Sequence, residues 1–271
     1  MVTGAASGIG RATAVRLAEK GAHLALVDID DRRLAETRAD VERLGRRATT
    51  HDCDVADRAR MESLVADVEK AHGAVHVLVN NAGVAVSGTF EDQSLEDFHW
   101  LIGINLWGVV HGCKLFLPLL RRADEAHIVN VSSVFGLIGM PLNSAYCASK
   151  FAVYGLSESL RAELSDTNIG VTCVQPGGIA TNIVQAARFV GGAEAETLRA
   201  RAVRSFRRML PPEKAAEAIV RGIEKNSHRV LITREAILLD AAKRAFPSWS
   251  SDLVARRWRK MLPGILERVS R

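Results

Sequence analysis

This sequence of 271 residues predicts an α/β fold, a doubly wound parallel sheet of about seven strands with helices on both faces. Three observations carry that expectation. Short β-branched runs alternate with longer stretches of helical spacing, the rhythm of strand–helix–strand units. Runs such as VHVLVN and HIVNVS are apolar enough to be covered on both faces, as interior parallel strands must be. No repeat and no Ser-, Pro- or Gly-rich linker divides the series, so one domain over residues 1–271 is expected.

Strands are expected at 2–3, 24–28, 48–53, 75–80, 127–132, 170–175 and 229–233, with helices between them. The chain opens MVTGAASGIGRATAVRLAEKG, which sets Gly4, Gly8 and Gly10 between a strand end and an amphipathic helix. Glycines there permit a tight turn and the close approach of a pyrophosphate, whose charge meets exposed N–H groups at the positive end of the helix. Asp28 ends the next strand, where a carboxylate can accept both hydroxyls of an adenosine ribose. Further on, SAYCASKFAV places Tyr146 and Lys150 four positions apart on one helical face, so that the ammonium acts on the phenol and on whatever binds between them.

Composition narrows the classes. Hydrophobic content of 48% and charged content of 25% are those of a globular protein. The four cysteines, Cys53, Cys113, Cys147 and Cys173, show neither a C-x-x-C pair nor metal-ligand spacing, so a reduced, cytoplasmic protein is expected. The histidines form no ligand pattern either, and no metal is expected. Net charge is +5, with the basic excess concentrated after residue 195. Nucleic acid is excluded as a partner by the lack of a recognition motif and by an aromatic content of 5%, too low to stack bases. No apolar run is expected to approach the ~18 residues of a membrane span, and a glycine loop stands where a signal peptide would be apolar.

The T-G-x-x-x-G-x-G loop, the NNAG run at 80–83 and the Y-x-x-x-K pair occur in order, and through them residues 2–233 resemble the short-chain dehydrogenase/reductase family. The resemblance implies a Rossmann-type NAD(P)-binding domain with sheet order 3-2-1-4-5-6-7. It assigns the cofactor's phosphates to the loop of Thr3, Gly4, Ser7, Gly8, Ile9 and Gly10, and its adenosine to Asp28, Asp54 and Val55. Asn81, Ala82 and Gly83 would shape the cofactor floor, and Pro176, Gly177, Ile179 and Thr181 would lie beside the nicotinamide. NAD is expected in preference to NADP, because Ser7 and Ile29 stand where NADP-preferring members tend to carry a basic residue. Arg11, Arg32 and Arg33 are the basic groups near enough in sequence to oppose that choice. Only Met1 and Val2 precede Thr3, fewer apolar residues than the family's first strand needs, so the true start is expected upstream or the chain to be trimmed.

Moving a hydride between a carbinol carbon and nicotinamide requires a proton to move on the adjoining oxygen. A free tyrosine, with a pKa near ~10, is a poor base at neutral pH. Lys150 and the positive nicotinamide are expected to lower that value, and Lys150 also to hold the nicotinamide ribose. By its family separation from Tyr146, Ser133 is the residue expected to bind the substrate oxygen, with Ser132 its competitor. Asn105, in LIGINLWG, matches the family asparagine of a water-mediated proton relay with the lysine, and a buried amide bonded to backbone is compatible with that role.

The segments VAV, FGLIGMPLN and GGIA around these residues are apolar and suit a hydrophobic secondary alcohol or its ketone. Residues 182–212 match the family's substrate lid and mix Phe189, Leu198, Val203, Phe206 and Met209 with Arg188, Arg199, Arg201, Arg204, Arg207 and Arg208. The arginines leave an alternative open, an NADPH-dependent reductase of 3-oxoacyl thioesters such as those of coenzyme A. A dinucleotide-sensing binding protein without turnover is the alternative of a different class. In the basic extension at 234–271, Val254, Trp258, Met261, Ile265 and Val269 recur at helical spacing, broken at Pro263. That surface is expected to dock on the protein or on another subunit of a homodimer or homotetramer, with membrane-surface contact as the alternative.

Overall fold

In the computed structural model, which describes residues 1–206, 208–248, 252–254 and 256–257, strands form where the β-branched runs lie. They are β1 (Val2–Thr3), β2 (Leu24–Asp28), β3 (Ala48–Asp52), β4 (Val77–Asn80), β5 (Val86–Ser87), β6 (Ala126–Val131), β7 (Ile169–Pro176), β8 (Arg188–Phe189) and β9 (Arg229–Ile232). Among the described residues, seven of these make a parallel sheet in the order β3-β2-β1-β4-β6-β7-β9, which is the expected order. Val2 lies opposite Leu26 on one side and Val79 on the other, so the chain reverses its direction of travel across the sheet at β1 and β4. An open α/β sheet binds ligands beyond the strand ends at such a switch point.

Alternation along the strands divides the core. Val2, Leu26, Val79, Val129 and Val174 face α1 (Gly8–Glu19), α2 (Asp31–Arg43) and α9 (Pro212–Glu224). Leu78, Ile128 and Val171 face α3 (Arg58–His72), α5 (Gly108–Arg121) and α6 (Ser144–Glu163). Fully buried Leu26, Leu78, Phe116 and Ile128 each contribute roughly 1.5–3 kcal/mol of transfer free energy.

Four details differ from expectation. β4 starts at Val77 rather than 75, where its ladder with β6 begins at His127. β6 stops at Val131, so Ser132 and Ser133 follow the strand. A separate two-stranded ribbon pairs β5 with β8, and runs of two residues are too short to show a period. Finally, α4 (Leu95–Ile102), a π-turn (Gly103–Trp107) and α5 are continuous over Leu95–Arg121, a helical stretch long and apolar enough to cross a membrane by length and composition. Its polar residues hide it from a search for unbroken apolar runs. Here α5 packs Val109, Cys113, Phe116 and Leu120 into the core.

The lid contains α7 (Ile183–Ala186), β8 and α8 (Ala193–Phe206), and beyond β9 lies α10 (Arg234–Ala245). Arg229 holds α10 to the sheet through Asp240, at 2.8 Å, while Ile237 and Leu238 are exposed. Of the apolar tail positions expected at helical spacing, Val254 is described; Trp258, Met261, Ile265 and Val269, with Pro263, lie outside the described residues, as does Arg207.

Candidate active site

The glycine loop is clasped from two sides. The buried Thr3 hydroxyl accepts N–H bonds from Asn81 at 3.0 Å and Ala82 at 3.1 Å, and Asn81 Nδ2 donates to the carbonyls of Thr3 and Gly4. This ties the loop to the NNAG turn across the switch point. A Cβ at Gly4, where φ is +65°, would lie 2.7 Å from Asn81 Nδ2 and 2.9 Å from Ala82 Cα, so only glycine fits. Ser7 is the extended N-cap of α1; it makes no side-chain cap bond, and the first turn holds no acid. The N–H groups of the helix start, at Gly8, Ile9 and Gly10, are thus suited to an anion. Thr181 packs over the loop, its Cγ2 3.1 Å from where a Cβ of Gly8 would be.

Asp28 does more here than wait for a ribose. Its Oδ2 accepts Ala6 N–H at 2.9 Å, and its Oδ1 accepts Ile29 N–H at 2.8 Å and Asp30 N–H at 3.2 Å. The same carboxylate that is expected to accept the ribose hydroxyls thus also holds the glycine loop and its own turn. Arg11 is committed to Asp40, at 2.6 Å, and to Glu36, at 3.2 Å, and Arg33 pairs with Asp30. Asp54 is exposed after β3, with its Oδ1 on Ala56 N–H, while Val55 is buried. These features fit a dinucleotide with a free ribose better than one with a ribose phosphate.

At the far side of the switch point α6 carries Tyr146 and Lys150. The Lys150 side chain is buried, its Nζ donating to Val131 O at 3.0 Å and standing 5.6 Å from the Tyr146 ring centre. Ser132 donates its hydroxyl to Lys150 O at 2.7 Å and is used up as scaffold. Ser133 is the serine left to serve the site, its hydroxyl accepting Phe135 N–H at 3.1 Å and lying near enough to Tyr146 to favour the phenolate. The Tyr146 ring meets Phe135 edge-on, with centres 6.0 Å apart.

Burial sets the charges. It pushes Lys150 down to about 8 and Tyr146 up to about 12, the Ser133 hydroxyl opposing the latter, although Tyr146 keeps part of its surface exposed. In the protein alone, desolvation of the phenolate is the largest influence on Tyr146 and raises its pKa, while the Lys150 ammonium lies 5.6 Å from the ring centre.

Asn105 sits fully buried in the π-turn, a helical irregularity frequent at functional sites. Its amide brackets Val84, accepting from the N–H at 2.8 Å and donating to the carbonyl at 3.0 Å, and also donates to Ser149 Oγ at 3.2 Å. Ser149 in turn donates to Tyr146 O at 2.8 Å. A methyl group at Gly83 would lie 3.2 Å from Asn105 Oδ1 and 3.5 Å from Lys150 Nζ, so both polar atoms border one small gap.

Sequence reasoning passed over Ser149 and over Thr37, whose buried hydroxyl donates to Ala5 O at 3.0 Å and braces the glycine loop. Thr37 had a visible signal, being a polar residue on the apolar stripe of Leu34 and Val41. On the other side of the site Pro176 ends β7, Gly177 N–H bonds Ile232 O, and buried Ile179 bridges to Leu210 at the end of the lid. A cleft of about 200 Å³ lies beneath α8, lined by Ala180, Thr181, Asn182, Val184, Gln185, Val203 and Phe206. Arg201, Arg204 and Arg208 are exposed and Arg199 donates to Gln185 O, so these arginines do not line it.

A family model described as short chain dehydrogenase matches residues 1–189. The putative oxidoreductase SadH of Mycobacterium tuberculosis is 41% identical over 269 residues, covering 97% of this chain and 96% of that protein. A C alpha-dehydrogenase of Sphingobium sp. is 34% identical, covering 83% and 77% respectively. Among solved structures, a short chain dehydrogenase/reductase from Burkholderia phymatum in complex with NAD superposes with a TM-score of 0.85 at 30% identity, covering 92% of this chain and 93% of that one.

Proposed function

The chain belongs to the short chain dehydrogenase family, and from that premise we propose that it interconverts a hydrophobic secondary alcohol and its ketone, using NAD(H), with Tyr146 as acid and base. The observation that carries this reading is the convergence of Tyr146, Lys150 and Ser133 beside a loop shaped for a dinucleotide. NAD, when bound, supplies the hydride acceptor and, oxidised, a positive ring.

In the oxidation direction Ser133 hydrogen-bonds the substrate oxygen and Tyr146, as phenolate, takes the hydroxyl proton while the carbinol carbon loses its hydride. Reduction runs the same steps backward. Lys150 holds the ribose and passes the proton on through a water-mediated relay that Asn105, across the gap beside Gly83, supports. Burial pushes the Tyr146 phenol up, which makes it a weak base in the protein alone; Lys150 beside it, and the positive ring of the oxidised cofactor when bound, would favour the phenolate.

NAD is the assigned cofactor because Asp28 ends β2 and the nearby Arg11 is already paired. The NAD of the Burkholderia structure supports the assignment, and the name of the Sphingobium relative supports a dehydrogenase reaction. Trp107 and Phe151, exposed on the π-turn and α6, support a homodimer or homotetramer formed through these helices, and we place the basic extension against a second copy in preference to a membrane. Four buried free cysteines support a reducing, cytoplasmic setting.

A nicotinamide-fluorescence screen of alcohols and ketones with both cofactors, products identified by mass spectrometry, tests the reading. Tyr146→Phe should nearly abolish turnover and leave NAD affinity little changed. Turnover within about tenfold of wild type, ~1.4 kcal/mol of barrier, would remove Tyr146 from its role. Tight NAD binding with no turnover on any substrate would favour a sensor.

A further inference from the structure

We propose that Arg188 is a positioning residue, a latch that pins the first strand of the lid against the wall of the Tyr146 pocket and leaves α8 as the part that swings. The proposal rests on the reading of that pocket as the substrate site, and it concerns a residue that none of the chemistry above requires.

The lid is held unequally along its length. At its near end β8 pairs with β5, with Arg188 N–H on Ala85 O at 3.0 Å and Val190 N–H on Ser87 O at 2.9 Å. Two residues of backbone pairing are a weak hold, because an isolated pair of short strands is marginal in water. The side chain of Arg188 supplies what the ribbon lacks. Its guanidinium carbon lies over the Trp100 ring, 3.6 Å from the ring centre, and its Nη1 donates to Asp97 Oδ1 at 2.9 Å. Both partners are on α4, one helical turn apart. A guanidinium can satisfy a ring face and a carboxylate together, which a lysine cannot.

This contact reaches the reaction site through packing. Trp100 belongs to an apolar cluster formed by buried Val86, Leu101 and Ala145 with Val84, Phe98, Ile102, Val190 and Tyr146 itself. The lid residue Val190 and the catalytic tyrosine thus share one wall, and Arg188 clamps that wall from outside. Directly after Val190 come Gly191 and Gly192, with φ of +113° and +69°, a conformation that other residues adopt only under strain. Beyond this pair α8 closes the cleft through Val203 and Phe206 and returns to the body at Leu210. The lid therefore consists of a fixed strand and a helix joined at a two-glycine hinge.

Limited proteolysis of the full chain reads this directly and does not depend on turnover. Trypsin cuts after Arg199, Arg201 and Arg204 once α8 unravels locally, which loss of its seat promotes, so the cleavage rate follows the open population. Arg188→Gln and Trp100→Leu should each raise cleavage within α8 about tenfold, and the double variant should be no faster than either alone, since both break one contact. Trp100→Phe, which keeps an aromatic face, should restore the wild-type rate within about twofold, and Arg188→Lys should not. NADH affinity by fluorescence and the melting temperature should stay near wild type in all of them. Wild-type cleavage in Arg188→Gln, multiplied effects in the double variant, or equal rescue by Arg188→Lys would overturn the latch. A lid loosened in this way while Tyr146→Phe kept full turnover would sink the proposed chemistry but leave the latch standing.

Discussion

At Lys150 an ammonium sits almost wholly out of water, with Val131 O at 3.0 Å as its acceptor, and burial pulls it from 10.5 to about 8. Holding that charge at neutral pH costs the folded protein roughly 3 kcal/mol relative to an unperturbed lysine. The sign is definite: the unfolded chain keeps its proton up to 10.5, the folded one loses it near 8, and stability rises with pH between those values. Without cofactor, the advantage of Lys150→Met over wild type in urea unfolding should therefore be greatest below pH 8 and shrink by about 3 kcal/mol by pH 10.5. A difference that stays level across the range would show an unperturbed lysine. Tyr146, Lys150 and Ser133 were legible in the sequence because their spacing along the chain is what places them together. Their ionisation was not, since the burial that sets it comes from β6 and the turn after it.

Asp28 shows how an element reads two ways. From sequence it is a strand-end acid for the ribose; in the fold it also holds the glycine loop through Ala6 and its own turn through Ile29 and Asp30. Each charge-assisted bond from Asp28 to a ribose hydroxyl would contribute on the order of 1.5–3 kcal/mol, enough for at least a tenfold NAD preference in kcat/KM. Asp28→Ala with Ile29→Arg should shift that preference toward NADP and, because three N–H groups lose their acceptor, also lower the melting temperature. Steady-state kinetics with both cofactors and a thermal melt check the two halves separately; equal or better efficiency of the unmodified chain with NADP would refute the cofactor assignment. The long strands and their helices could be read from periodicity, but the β5–β8 ribbon could not, as its four residues acquire meaning only when the lid folds back onto Val86 and Ser87. Nor could the π-turn at Asn105, which inserts an irregularity into an otherwise continuous apolar helix.

Across the whole molecule, each group named here stands at the same edge of the sheet. Thr3 ends β1, Asp28 ends β2, Asn80 ends β4, Ser133 follows β6 and Pro176 ends β7. Parallel strands bring residues far apart in sequence to one edge, and the order reversal at β1 and β4 leaves a crevice between the cofactor loop and α6. Motif order made this arrangement legible; the distance between the two halves did not follow from it. A cofactor held by the first half should therefore tune the tyrosine carried by the second. The chain has two tyrosines, Tyr146 and Tyr154, so Tyr154→Phe leaves Tyr146 as the sole phenol. Ultraviolet titration of its phenolate, with and without saturating NAD, measures the coupling without knowledge of the substrate. Without NAD the phenol should stay protonated through pH 10, in keeping with a pKa of about 12; with NAD its ionisation should fall by at least one pH unit, ~1.4 kcal/mol of interaction. Superimposable titrations with and without NAD would contradict the account.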